Sequence, residues 1–440
     1  MTGFMKKFLT GFLLISILTI TGCAENRIED LEGGETGEAA LVGDVSYVEG
    51  DSIYYSIASE ATGKASGDVA GEFTGDVQVT VPDAGQLTAS EWNDLENYDF
   101  YLSLFEPTQD QLPGIFEQYF NKGYLDTKNM ISIHFHNDEV LLFGGKVELY
   151  NSSQEVIYTA FTDVFGNAYL FPKTGETDSI SRVEVTYNGV NTVVNYTYTT
   201  ETNTVDIDVD TTNSHEDVIE IMFVVDTTGS MGDEITFLKV ELDNVISEVS
   251  RLNPNSVIKL ALLFYRDTGD TYVTRYFDFT TDIEAQQIIL GIQNAIGGGD
   301  FPEAVSTALY EAVNKNWSDE NSTKLIFHVL DAPPHDTQES MTKYTEALKI
   351  ASENGISIIP VASSGIDKYT EYLLRNEAML TGGTYIFLTN DSGIGGDHID
   401  ATVDEVDVEL LNQLLVRVII EYHTGVLIDV IPFVQDDQQQ

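Results

Sequence analysis

The chain has 440 residues and a formal net charge of −51, from 21 basic and 72 acidic side chains. Such an excess excludes nucleic acid and anionic membrane surfaces as electrostatic partners and favours cations. One cysteine, Cys23, excludes disulfides within the chain. At about 100–200 residues per domain, the length predicts about three domains.

The N-terminus carries Lys6 and Lys7, an apolar run over residues 8–20, and then Thr21-Gly22-Cys23. The run is short for a bilayer span and suits the apolar core of a secretion signal. Ile20-Thr21-Gly22-Cys23 resembles the lipobox of bacterial lipoproteins, in which cleavage leaves the cysteine as a lipidated N-terminus. The resemblance implies a signal peptide over 1–22, lipidation at Cys23, and an extracytoplasmic protein anchored to a membrane. The alternative is an ordinary signal peptide with an incidental cysteine. Residues 23–44 are acidic and poor in large apolar side chains, and read as a flexible tether.

Residues 45–130 have a mixed pattern with no assignable fold. Within them, Thr88-Ala89-Ser90-Glu91 is a capping box. It predicts a helix with Trp92, Leu95, Tyr98, Leu102 and Phe105 along one face, packed on a neighbouring domain. From Ile131 the period changes to two. Val183, Val185 and Tyr187 alternate with polar residues, and Asn188-Gly189 marks a hairpin. Residues 145–150 and 162–169 resemble the small immunoglobulin-like sandwiches related to carboxypeptidase regulatory domains. That implies an all-β sandwich over 131–212, serving as a spacer or binding platform. Asp206, Asp208 and Asp210 share one strand face, read as solvated, with a cation site as the alternative.

From Val218 onward, strands and helices alternate as a doubly wound α/β fold requires. Strands are expected at 221–225, 257–264, 272–279, 325–330, 356–361 and 384–388. Helices are expected at 235–249, 283–295, from 304, at 339–354, from 368 and at 406–422. The first strand ends in Asp226, and Thr228 and Ser230 follow at alternate positions of one loop. Open α/β sheets bind ligands there, outside the carboxyl ends of their strands. Ser230 could instead cap the next helix, with Asp233 as a weak capping-box partner. The third strand ends in Asp331, and a glycine-rich loop carries Gly299-Asp300.

Asp226-x-Thr228-x-Ser230, Gly299-Asp300 and Asp331 together resemble the metal-ion-dependent adhesion site of von Willebrand factor A domains, over roughly residues 216–422. The wording D-T-T-G-S-M, Y-R-D, G-G-G-D-F-P-E and D-A-P-P-H is most similar to A domains of bacterial surface proteins and some atypical kinases. The resemblance implies one divalent cation, magnesium first, with manganese or calcium as alternatives. Thr228 and Ser230 would bind it through their hydroxyls, and Asp226 and Asp331 directly or through water. A partner's acidic side chain would complete the shell. Independently, magnesium prefers octahedral oxygen ligands, one or two of them carboxylates. The chain departs from the family at Asp300, which stands where a threonine is usual. Asp300 has a second reading as a helix N-cap with Glu303 as its box partner, and Glu303 is the alternative metal residue. A third ligating carboxylate makes the loaded site formally −1 and weakens capture of an acidic partner.

There is no G-x-S-x-G, H-E-x-x-H or P-loop, so no catalytic residue is assigned. His335 reads as a loop cap, or as a base beside the site. The expected architecture is multidomain: a doubly wound, Rossmann-like A domain over 213–424, an all-β sandwich domain before it, and a tail over 425–440. Residues 216–422 are expected to close one core alone. The expected function is metal-dependent binding of a protein or glycan at the cell envelope. The alternatives are an assembly subunit with a mainly structural metal, and a metal-dependent hydrolase.

Overall fold

The computed structural model describes residues 43–46, 54–57, 84–108, 111–199, 203–233, 235–394 and 398–434. The expected signal peptide, Cys23 and the tether up to residue 42 lie outside them. The chain divides into two units, residues 1–79 and 80–440. In the first, β1 (Gly43–Ser46) and β2 (Tyr54–Ile57) pair antiparallel.

The second unit opens with β3 (Thr88–Trp92), α1 (Tyr98–Ser103) and α2 (Glu117–Phe120). Eight strands follow: β4 (Ile131–Asn137), β5 (Val140–Leu141), β6 (Lys146–Asn151), β7 (Val156–Phe161), β8 (Asn167–Leu170), β9 (Ile180–Tyr187), β10 (Val190–Asn195) and β11 (Thr204–Asp208). They form two small sheets, β10-β9-β6-β7 and β11-β4-β5, with β8 also paired to β4. Alternate residues of both sheets, among them Ile133, Phe135, Val147, Leu149, Val183, Val185 and Ile207, share one apolar cluster. The β9–β10 turn holds Asn188 at φ 48° and Gly189 at φ 76°. A two-residue hairpin of this twist demands that left-handed pair, and Asn-Gly adopts it at least cost.

The remaining strands are β12 (Val218–Asp226), β13 (Val257–Tyr265), β14 (Thr274–Thr280), β15 (Thr323–Leu330), β16 (Ile356–Ala362), β17 (Tyr385–Leu388) and β18 (Glu409–Leu410). The helices are α3 (Ile235–Leu252), α4 (Ile283–Gly291), α5 (Val305–Val313), α6 (Gln338–Glu353), α7 (Lys368–Thr381) and α8 (Leu411–Thr424). The sheet order is β14-β13-β12-β15-β16-β17-β3-β18, parallel from β13 to β17. β12 lies between β13 and β15 and is apolar on both faces. Met222 and Val224 pack with Leu309, Met341 and Tyr344 of α5 and α6. Ile221, Phe223 and Val225 pack with Leu238, Leu242 and Leu415 of α3 and α8. Each such side chain contributes about 1.5–3 kcal/mol by leaving water. No helix among the described residues is long and apolar enough to cross a membrane.

The helix expected from Thr88 is corrected. Thr88–Trp92 is a strand, paired antiparallel with β17 on one side and β18 on the other. Its capping-box wording is overridden upstream, where the amides of Gly85, Gln86 and Leu87 donate to the buried Glu241 carboxylate of α3 at 2.8–3.2 Å. The chain is thereby fixed in an extended path into the sheet, and α1 starts only at Tyr98. The aromatic stripe does pack inward: Tyr101 and Phe105 meet Phe116, which meets Tyr372 of α7. Residues 216–422 therefore lack one strand of their own sheet, β3 between β17 and β18.

Candidate metal centre

Three loops converge: those after β12 and β15, and the glycine-rich loop between α4 and α5. Asp226, the last residue of β12, is wholly buried. Its Oδ1 accepts from the Thr228 amide at 2.8 Å and the Thr228 hydroxyl at 2.7 Å. The Thr228 and Ser230 hydroxyls lie 3.1 Å apart. Asp226 Oδ2 is buried with no hydrogen-bond partner. Ser230 belongs to a short 3-10 helix, Gly229–Asp233, ahead of α3, so it does not cap α3.

The second loop is built on left-handed glycines, Gly297 at φ 91° and Gly298 at φ 72°. Gly297 O accepts from the Gly229 amide at 2.9 Å, and the Gly298 amide donates to Asp270 Oδ2 at 2.8 Å. A methyl group on Gly298 would stand 2.7 Å from Glu303 Oε1 and 3.2 Å from Thr228 Cβ. Glu303 therefore reaches beneath this loop, beside Thr228. It is 2 % exposed, and its Oε2 is buried without a partner.

Asp300 is exposed. Its N-cap reading is corrected, because α5 starts at Val305 with Ala304 as N-cap. The Glu303 amide instead donates to Pro333 O at 3.0 Å, in a bridge to the loop after β15. Glu303, held by that bridge, is buried, whereas Asp300 is exposed. The third loop brings Asp331, buried beside Asp226.

The electrostatics follow from this crowding. Burial first, then the Asp331 charge, push Asp226 up to about 7. Burial, then Asp226, Asp267, Asp331 and Asp270, push Glu303 up to about 9. His335 Nε2 meets Asp267 Oδ1 at 2.7 Å, which braces the β13 loop. Under the site runs a buried polar chain that the sequence reading missed. Tyr265 OH meets His328 Nε2 at 3.4 Å, His328 Nδ1 meets Glu377 Oε1 at 2.8 Å, and Tyr344 OH donates to Glu377 Oε2 at 2.9 Å. The signal was present, since His328 interrupts the apolar run of β15.

Two buried, unpartnered carboxylate oxygens beside a buried hydroxyl fit a small hard cation. Asp226, Thr228, Ser230, Asp331 and Glu303 are the residues that could hold it.

The von Willebrand factor A domain family matches residues 220–390. The human von Willebrand factor A domain-containing protein 7 is 34% identical over 131 residues, 29% of this chain and 13% of that protein. An ariadne-like RING finger protein, R811, of Acanthamoeba polyphaga mimivirus is 27% identical over 134 residues, 30% of this chain and 13% of its own length. The chain thus spans about an eighth of either relative. Among solved structures, BatB from Bacteroides thetaiotaomicron has a TM-score of 0.32 at 14% identity, covering 40% of this chain and 93% of that one. The pilus adhesin SpaC from Lactobacillus rhamnosus GG has a TM-score of 0.34 at 14% identity, covering 47% of this chain and 30% of that one. The fold, the loop wording and the family match agree, and the chain carries a von Willebrand factor A domain over residues 220–390.

Proposed function

We propose that the A domain binds one divalent cation, magnesium first, through Asp226, Thr228, Ser230, Asp331 and Glu303, and uses it to engage a protein partner. The observation that carries this reading is the pair of orphaned oxygens, Asp226 Oδ2 and Glu303 Oε2. An unsatisfied buried polar group costs about 1–3 kcal/mol, and more when charged. A cation removes that cost for both. With Glu303 as third carboxylate, the loaded site is formally −1. This favours a fixed partner whose contacts extend beyond one acidic side chain, as in an assembly subunit, over capture of a lone carboxylate. A glycan ligand is the alternative occupant. Asp300 contributes rim charge in this reading.

We further propose that Cys23 is lipidated and that residues 131–212 form the immunoglobulin-like spacer carrying the A domain away from a cell-envelope membrane. The domain acts here as an interaction module without catalysis. Proteins co-purified with the full chain in magnesium and in a chelator test the binding reading: a partner recovered only with metal supports it, and identical recovery contradicts it. Membrane fractionation of Cys23→Ser tests the anchor, which predicts release of the protein into the soluble fraction.

A further inference from the structure

A second group of ligand atoms lies on the smaller sheets, away from the A-domain loops. In β4 the inward positions are Ile131, Ile133 and Phe135, so His134 and His136 share the outer face. β11 runs parallel beside β4, with Asp206 in register with His134 and Asp208 with His136. Its outer residues are Thr204, Asp206 and Asp208. On the other flank, β8 places Asn167 opposite His134. Period-two alternation in three adjacent strands thus gathers two imidazoles and two carboxylates on one surface. One ligand atom each from His134, His136 and Asp206 lies within 4.8 Å of the others.

We infer that His134, His136 and Asp206 form a site for a borderline divalent transition metal, zinc first. Two imidazoles and a carboxylate are a zinc ligand set, whereas magnesium and calcium prefer oxygen alone. The spacing agrees. His136 Nε2 and Asp206 Oδ1 are 3.2 Å apart. Two ligands at about 2.0–2.1 Å from one tetrahedral ion are separated by roughly that distance. The supporting shell is present as well. His134 Nδ1 meets Asn167 Oδ1 at 3.0 Å. An amide oxygen only accepts, so Nδ1 carries the proton and Nε2 keeps its lone pair for a metal. Asp208 Oδ1 accepts from the Asp138 amide at 3.1 Å and stands 3.8 Å from His136 Nδ1, adding negative charge beside the second ring without a hydrogen bond to it. β11 is the edge strand of its sheet, paired there with β4, and leads directly into β12. A bound ion would tie that edge strand to β4.

Zinc titration of the metal-stripped full chain, by competition with a chromophoric chelator, tests the site. One zinc equivalent is expected in the wild type and in Asp226→Ala. It should be lost in His134→Gln/His136→Gln, and weakened about tenfold or more in Asp206→Asn and Asn167→Ala. The altered side chains of β4, β8 and β11 lie on the outer face of their sheet, and circular dichroism confirms folding of every variant. Zinc should raise the thermal midpoint of the wild type and not of the double variant. Cobalt should give an intense visible spectrum in the wild type that the double variant lacks. Zinc stoichiometry unchanged in the double variant, or abolished by Asp226→Ala, would overturn the assignment.

Discussion

Arg375 of α7 grips Asp94, just after β3, with two charge-assisted hydrogen bonds: Nε to Oδ2 at 2.7 Å and Nη2 to Oδ1 at 2.6 Å. Both side chains are buried, and Trp92 Nε1 donates to the same Asp94 Oδ1 at 2.9 Å. The pair fastens a strand that precedes the small sheets into the sheet that follows them. Breaking such a pair from one side leaves an uncompensated buried charge, so Asp94→Ala should cost about 3–5 kcal/mol in denaturant unfolding. A fragment of residues 213–424, which lacks β3, should unfold at lower denaturant than residues 80–434. Equal midpoints would show that β3 is an accessory to the domain.

The centre distinguishes Glu303 from Asp300. Glu303→Gln should weaken magnesium or manganese binding about tenfold or more, while Asp300→Ala leaves it unchanged. Glutamine resembles the protonated carboxyl that burial, and then the neighbouring carboxylates, impose on Glu303 at neutral pH, so metal-free stability should move by less than about 1 kcal/mol. Titration calorimetry paired with thermal unfolding separates the effects, and a reversed order of the two variants would return the ligand role to Asp300.

Gly298 has two reasons to be glycine, its φ of 72° and the 2.7 Å approach of Glu303 Oε1 to any added methyl. Gly298→Ala should cost about 1 kcal/mol or more in stability and also weaken the cation, because Glu303 must move. A stability loss with unchanged cation affinity would detach Glu303 from the site.

The pH dependence has a source remote from the centre. His215 Nε2 meets Thr323 Oγ1 at 3.0 Å, and His423 Nδ1 meets the same oxygen at 2.9 Å. Burial, then His423, push the His215 imidazole down to about 4. Its unfolded value is about 6.5. Between those values the unfolded chain binds more protons, so stability rises with pH. The His215 contribution is therefore complete above about 6.5 and is lost as pH falls toward 4. The slope of thermal midpoint against pH from 6.5 to 5 should be shallower in His215→Gln, and identical slopes would refute the assignment.

Much of the A-domain fold was legible because β12, β13, β15 and β16 are buried on both faces and read as continuous apolar runs. β3 was not, since its partner lies far along the chain. Thr389 Oγ1 donates to Thr88 Oγ1 at 2.8 Å across 301 residues. No local pattern encodes that contact, and the capping-box wording pointed to a helix. The meeting of Asp226, Thr228 and Ser230 was legible because strand end and loop are contiguous. Which acidic residue of the glycine-rich loop is buried was not, because Glu303 is held by a bridge to Pro334 in another loop. The cluster of His134, His136 and Asp206 needed the β4–β11 register, which periodicity alone does not supply.

The central claim is that the loops after β12 and β15 and the glycine-rich loop ahead of α5 form a cation site. Magnesium titration calorimetry on the full chain and on Asp226→Ala tests it most directly, because the imidazole-rich surface on β4 does not favour magnesium. The account predicts one saturable equivalent in the wild type and none in a folded Asp226→Ala. Equal binding by the two proteins, or no binding by the wild type of magnesium or manganese, would contradict it.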